Sequence, residues 1–480
     1  MIKIISKIFF FTLLTALSIL MNAQKKDSSV VWTLDRCIEY ALEHNTKLNL
    51  QRIDVKVHEI NKSDRKWSFI PKISISSGYN LSIGRVLDAT TYNFVTNETV
   101  SSLTSSISAS IHLFSGLKSI KQLQAAEIER LSTELQVEKA SNDLKLNITA
   151  YFIEVICAKE NIKNCKLLVE SLRQQEQHTQ KKVNVGKFTV ADLLQIKSRI
   201  AEAENSLLSA FHAYDISRLN ICQLLEIEDY KTFVPCAYNN DSIFCIVKDF
   251  NSVIKNVYKL PQIRIAENTI KLSKKNIQIE KASNYPSLSL NIGYGSSYSS
   301  ARHRIMQNPD NSSRYEHYPI LDQFLDNANG YVSLNLVIPI LNGMHAKNRV
   351  RKAQLELQKS ELNKIIVQKQ LFKEVVQAMS DAEIAWKKYM GSVKYLESAK
   401  EALRLISIKY NAGTAKVTEY TTAISKMAEA QYQQLCSKYE YILKLKIIDF
   451  YEFAEIKNYN AFPNMQLRDC SGLNVPSISE

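Results

Sequence analysis

Along four short stretches of the chain, apolar and polar residues alternate. From Ser102 to Leu113 the odd positions are Leu103, Ser105, Ile107, Ala109, Ile111 and Leu113, against hydroxyl residues and His112 at the even ones. Ile73, Ile75, Tyr79, Leu81 and Ile83 repeat the pattern against Lys72, Ser74, Ser76, Asn80 and Ser82. Leu288, Leu290, Ile292 and Tyr294 form a third set, and Val332, Leu334, Leu336, Ile338 and Ile340 a fourth. A period of two assigns the two sets to opposite faces of a strand. In a soluble sandwich the apolar face points at a core; in a membrane barrel it points at lipid while the serine-rich face lines water. Tyr79, Tyr92, Tyr294, Tyr298 and Tyr331, with loops of unequal length, lean towards the barrel. Four strands are too few to close one, since small barrels need about eight. Lipid tolerates no open sheet edge, so strands of this kind require several chains to combine.

Elsewhere the pattern is helical. One helix is predicted over about Thr33 to Phe69, with a break near Asn45, and another over about Phe250 to Ser283. Pro71 and Pro286 follow them, and the residue before a proline is pushed towards extended geometry. After each strand pair the chain turns at Gly116 or Gly343 into a very long helical stretch, to about Lys182 and Tyr410. Some 67 residues of helix reach about 100 Å. The returning helix carries Leu193, Ile196, Ile200, Ala203, Leu207, Ala210 and Tyr214, steps of three and four that make a heptad seam. Its counterpart begins as Tyr420, Ala423, Met427 and Ala430, then fades. A 3.5-residue repeat implies a left-handed coiled coil.

These elements occur twice in the same order. Gly116 and Gly343 are 227 positions apart, and so are Gly186 and Gly413; "FIPKISIS" from Phe69 and "NYPSLSLN" from Asn284 are 215 apart. The second copy therefore carries 12 extra residues between Pro286 and Gly343. A fixed offset on each side of one insertion marks an internal duplication. The expected organisation is a first repeat over 24–228, with a strand pair at about 71–114 and a coiled-coil hairpin at 116–228. An irregular segment, 229–249, separates it from a second repeat over 250–456, with a strand pair at about 286–341 and a hairpin at 343–456. A tail, 457–480, closes the chain.

Composition sharpens this picture. Among 480 residues there are only 11 glycines and 9 prolines, as long regular elements require. Residues 1–23 read as an export signal: Lys3 and Lys7, an apolar run from Ile8 to Leu20, and small residues near Ala23. That run is short for a membrane span, which needs about 20 residues. The net charge of +13 comes from lysines and arginines interleaved with acids along helix faces, and an exported protein meets little nucleic acid. No nucleic-acid partner is expected. Eight cysteines would allow four disulfides, but Cys37, Cys157, Cys165, Cys222 and Cys436 fall in helical patterns; only Cys236 and Cys245 are plausible partners. The histidines are scattered, and no metal-ligand spacing, phosphate loop or nucleophile elbow occurs. Neither an enzyme nor a cofactor site is expected.

The doubled motifs, "LFSGLKSIKQLQAAE" beside "ILNGMHAKNRVRKAQLE" and "NVGKFTVADLL" beside "NAGTAKVTEYTTA", resemble the TolC family of outer-membrane efflux and secretion channels. The resemblance covers about Trp32 to Phe453. It implies a mostly α fold with a transmembrane β part: a homotrimer whose four strands per chain close a 12-stranded barrel in outer-membrane lipid, continued by an α-helical barrel in the periplasm. It also implies a passive exit duct, docked onto a periplasmic adaptor protein and an energised inner-membrane transporter. By the same resemblance Val185-Gly186-Lys187 and Ala412-Gly413-Thr414 are the tips that an adaptor contacts, and Asp192 and Glu419 the acids of a periplasmic entrance constriction. The chain departs from the family in having Thr422 where a further aspartate is expected and Ala415 where a basic gate residue is expected, with Lys416 adjacent. Thr189 and Asp192 fit a helix-capping pair, for which the second copy has Lys416 instead. The competing reading is a periplasmic coiled-coil adaptor or scaffold without a pore, which would not explain two equal copies. A wide polar duct leaves drug, metal and protein cargo all open.

Overall fold

The computed structural model describes residues 31–87, 92–236, 253, 258–307 and 313–453. The expected export signal, positions 237–249 with Cys245, and the tail 457–480 lie outside these residues. In the first copy a short strand β1 (Val31–Trp32) precedes helices α1 (Leu34–His44) and α2 (Thr46–Trp67). Strands β2 (Lys72–Leu87) and β3 (Phe94–Ser115) follow, then helices α3 (Lys118–Asn184) and α4 (Val190–Leu225). A 3-10 turn (Tyr230–Thr232) and strand β4 (Val234–Pro235) lead into the second copy. There α5 (Pro261–Ala282), β5 (Ser287–Ser299), β8 (Asn329–Val337), α7 (His345–Asn411) and α8 (Val417–Phe453) repeat the order. Strands β6 (His303–Gln307) and β7 (Ser313–His317) and helix α6 (Ile320–Asp326) lie between β5 and β8.

The chain divides into two compact units, one drawn from Met1–Gln51, Val137–Pro261 and Gln368–Glu480, the other from Arg52–Gln136 and Gln262–Val367. The second unit holds an antiparallel sheet in the order β2-β3-β5-β8. Its register carries the alternation from strand to strand. Ile73, Ala109, Ile292 and Val332 lie in one row, Ile111, Leu290 and Leu334 in another, and Ser74, Ser108, Gly293 and Tyr331 in a row of the opposite face. Pairs of this kind stabilise a sheet by roughly 0.2–1 kcal/mol each. On the polar face Ser74 bonds Ser108 at 3.0 Å and Ser76 bonds Ser106 at 2.9 Å, hydroxyl to hydroxyl. The apolar face is uncovered: Ile73, Ile75 and Ile83 are 70%, 79% and 79% exposed. That speaks against the soluble-sandwich reading, because among the described residues no second sheet covers the apolar side.

Several boundaries differ from the sequence expectation, each for a local reason. Helix α5 begins at Pro261, where a proline is favoured because its missing N–H would have no partner in the first turn. Strand β8 ends at Val337, so Ile338 and Ile340 lie beyond it. The insertion of the second copy is structured, as the β6–β7 hairpin and α6. Gln323 of α6 is buried and holds both Ser299 backbone groups, donating to its carbonyl at 3.1 Å and accepting from its N–H at 3.0 Å. A Cβ at Gly293 would collide with the Tyr331 ring, so the glycine makes room for that ring across the strand pair. In the same unit Lys62 pairs with Glu127 at 2.6 Å, linking α2 to α3, and Lys364 with Glu267 at 2.9 Å, linking α7 to α5.

The first unit has an apolar core built from α1 (Leu34, Cys37, Ala41), α3 (Ile148, Phe152, Val155), α4 (Ile221, Leu225) and α8 (Tyr439, Ile442), with Phe233. The expected helix break falls at Asn45, whose side chain accepts from Leu48 N–H at 3.1 Å and donates to the Leu224 carbonyl at 3.0 Å. Part of the inter-repeat segment is ordered against this core: Val234 and Pro235 pair in parallel with Val31 and Trp32, and Phe233 stacks on Trp32. The heptad seam is buried at Leu193, Ile196, Ile200, Ala203 and Ala210. In α8 the seam fades for a physical reason: Tyr439, Tyr441, Ile442, Leu445, Ile448 and Phe450 are all buried, so that part of the helix is enclosed on more than one side and carries no single stripe.

Candidate functional site

The two hairpin tips share three equivalent backbone bonds. In the first, Val185 N–H donates to Lys181, Gly186 N–H to Val183 and Lys187 N–H to Lys182; in the second, Ala412 donates to Ile408, Gly413 to Tyr410 and Thr414 to Lys409. These reverse bonds satisfy the last carbonyls of a helix and need a left-handed residue, which glycine adopts without a Cβ penalty. Gly186 has φ +75° and Gly413 φ +79°, and a Cβ at either would meet nothing within 4 Å. All six expected tip residues, Val185, Gly186, Lys187, Ala412, Gly413 and Thr414, are exposed.

The capping pair forms only in the first tip. Asp192 N–H donates to Thr189 Oγ1 at 3.2 Å, and the Asp192 carboxylate accepts from Thr189 N–H at 3.0 Å and Thr189 Oγ1 at 2.7 Å. The Asp192 carboxylate is thus engaged in holding its own helix start. Glu419 is exposed on the first turn of α8. It lines a groove of about 550 Å³ between α7 and α8, together with Tyr395, Ala399, Ala402, Thr418 and Thr422. Asp192 and Glu419 are therefore differently used, one capping and one facing a cleft.

A contact between the two tips went unforeseen in the sequence. Phe188 of the first stacks on Tyr410 of the second at 5.4 Å, and Tyr410 stacks on Tyr420 at 4.6 Å. Lys182 Nζ lies 4.9 Å from the Phe188 ring centre and 4.6 Å from that of Tyr410. Tyr410 is 2% exposed, and its hydroxyl bonds the Thr179 hydroxyl, itself fully buried, at 2.9 Å. Burial, with Tyr410 alongside, pushes the Tyr420 hydroxyl above its ordinary pKa. The sequence signal was an asymmetry: at the 227 offset Phe188 corresponds to Ala415, and Tyr410 to Val183. Ala415 is buried in the same cluster as Tyr410 and Val417, so this packing has no room for a long basic side chain there.

The duplicated order of helix, strand pair and hairpin matches the family model for outer membrane efflux proteins over residues 37–225 and 259–445. The chain belongs to the outer membrane efflux protein family. The two matched stretches are the two copies. Among relatives of this family, the chain is 21% identical to outer membrane protein TolC of Vibrio cholerae over 389 residues, 79% of this chain and 81% of that one. Its fold is similar to that of CusC, with a TM-score of 0.73 and 16% identity over 88% of this chain and 92% of the other. It is also similar to the outer membrane protein VceC from Vibrio cholerae, with a TM-score of 0.69 and 14% identity over 87% and 96%. An outer membrane efflux protein resides in the outer membrane and extends into the periplasm. Among the described residues no helix is long and apolar enough to cross a membrane. No group of three or more His, Cys, Asp or Glu side chains among them is placed to hold a metal.

Proposed function

We propose that three copies of this chain form a passive outer-membrane exit duct for a tripartite efflux or secretion system. The observation that carries this is the four-stranded sheet with one uncovered apolar face, one serine-rich face and unpaired edges at β2 and β8. Three such sheets supply 12 strands, enough to close, and closure removes the edges that lipid does not tolerate. Trimerisation is further supported by exposed apolar rows on helices, such as Leu50, Ile53, Val57 and Ile60 of α2. A pore-free scaffold has no use for such a sheet. Transport needs no chemistry in the duct: cargo moves down the gradient that an inner-membrane transporter maintains. The test is the outer-membrane fraction, where a trimer resistant to detergent and a conductance in planar bilayers are expected. A soluble monomer without conductance refutes the proposal.

The tips are the docking points for a periplasmic adaptor in this reading. Their side-chain-free glycines leave space for a partner helix, and the groove beside Glu419 continues that surface. Asp192 and Glu419 form the acidic periplasmic entrance, with Glu419 the carboxylate left available to passing ions. Gly413→Arg and Gly186→Arg place bulk where nothing stands, and the positive φ costs only about 1–2 kcal/mol. Export is expected to fail in these variants while the trimer still assembles. Unchanged export excludes docking at the tips, and Glu419→Gln is expected to weaken cation preference of the conductance.

A further inference from the structure

Two cysteines far apart in the sequence meet inside the first unit. Cys157 on α3 and Cys436 on α8 are 279 positions apart and belong to different copies of the duplicated unit, yet their sulfurs lie 3.7 Å apart. Each sits on a long regular helix whose neighbouring residues are in the core: Val155 and Ile156 on one, Leu435 and Tyr439 on the other. The two helices therefore hold the sulfurs in contact, and a bond between them would bring them to about 2.05 Å.

We propose that Cys157 and Cys436 form a disulfide in the exported protein, covalently joining the first copy to the second. The outer membrane faces the periplasm, where dithiols are oxidised and disulfides persist. The surroundings favour the reaction. Cys436 is held down to about 6, first by the S–H of Cys157 and then, against the opposing effect of burial, by the Tyr432 hydroxyl. The Cys157 thiol is raised by that same bond and by burial. Cys436 is thus the sulfur biased towards thiolate, the nucleophile of disulfide exchange, with a resolving thiol in contact.

The step balances by exchange with an oxidised protein dithiol. The Cys436 thiolate attacks one sulfur of the donor's disulfide, forming a mixed disulfide and releasing the donor's other sulfur as thiolate. Cys157 then loses its proton to solvent and attacks Cys436 Sγ, expelling the donor's second thiolate. The pair is oxidised by two electrons and the donor reduced by two. Cys37 and Cys222 lie in the apolar core, where burial pushes their thiols up to about 12 and about 11. Cys165, two turns along α3, directs its S–H to Asn161 Oδ1 at 3.9 Å.

The test uses the full chain exported to its own membrane, quenched in acid and alkylated before and after reduction, then digested for mass spectrometry. A linked peptide pair containing Cys157 and Cys436 is expected, lost on reduction and retained in Cys165→Ser. Alkylation of both residues without reduction overturns the proposal, and so does a bridge from either one to any other cysteine. A second readout is the melting temperature of the purified protein. Reductant is expected to lower it for the wild type and leave Cys157→Ser/Cys436→Ser unmoved; equal shifts in both also overturn the proposal.

Discussion

The bond between Tyr410 and Thr179 allows a test of whether the two hairpin tips form one unit. Both hydroxyls are buried and they bond only across the two copies, at 2.9 Å. Tyr410→Phe deletes one partner and leaves the other in an apolar setting; leaving a buried polar group unsatisfied costs about 1–3 kcal/mol. Thr179→Val deletes the other with little change of shape and leaves the Tyr410 hydroxyl stranded, at similar cost. Removing both groups together is close to neutral by the same reasoning. The double variant is therefore expected to lose much less than the two single losses added, with a coupling of about 0.5–3 kcal/mol between the residues. The assay is amide hydrogen exchange in the purified trimer, read at residues 180–188 and 408–416, because it reports local opening rather than global unfolding. Each single variant should exchange there about 5- to 150-fold faster, and the double variant within a few-fold of wild type. Strictly additive effects would refute the claim that this bond joins the tips, and acceleration in one tip alone would show that they open independently.

Thr189→Ala removes the cap of α4 and is expected to cost about 1 kcal/mol, roughly a fivefold rise in exchange at residues 190–193, with no change at 417–420. Gly293→Val should lower the melting temperature of the trimer by driving Tyr331 off the strand, and Tyr331→Ala in the same chain should recover part of the loss; no recovery would separate the two residues. Cys37 is fully buried with its thiol pushed up to about 12 by burial, so the folded chain keeps a proton that the unfolded chain releases near pH 9. This contribution is complete below pH 9 and disappears as pH rises towards 12. Cys37→Ala should be less stable at pH 7 yet lose less stability between pH 9 and 12, and parallel denaturation curves for the two proteins would contradict it.

The duplication was legible because it is written in positions rather than contacts. Two glycine tips and two strand-to-helix turns at one spacing need only a one-dimensional comparison, and their backbone bonds then follow from the glycines' conformational freedom. The strands were legible as period-two rows, and the seam of α4 as steps of three and four. Other features depended on which surfaces the fold brings together. The α8 seam faded because Tyr441, Ile448 and Phe450 are buried as well, so apolar residues are needed on more than one side of the helix. The insertion before β8 appeared as 12 surplus residues, and nothing local announced that Gln323 would tie α6 to the backbone of Ser299.

Local periodicity and spacing were sufficient for the strands, the helices, the repeat and the location of both glycine tips, and the doubled motifs for the family resemblance, since each is read along the chain without knowing a contact. The asymmetric clasp of Phe188, Tyr410 and Thr179, the capping use of Asp192 against the open position of Glu419, and the meeting of Cys157 with Cys436 depend on distances between residues that the chain separates by tens to hundreds of positions. Side-chain contacts of that range are set by how the helices pack. They became visible only once those helices stood side by side.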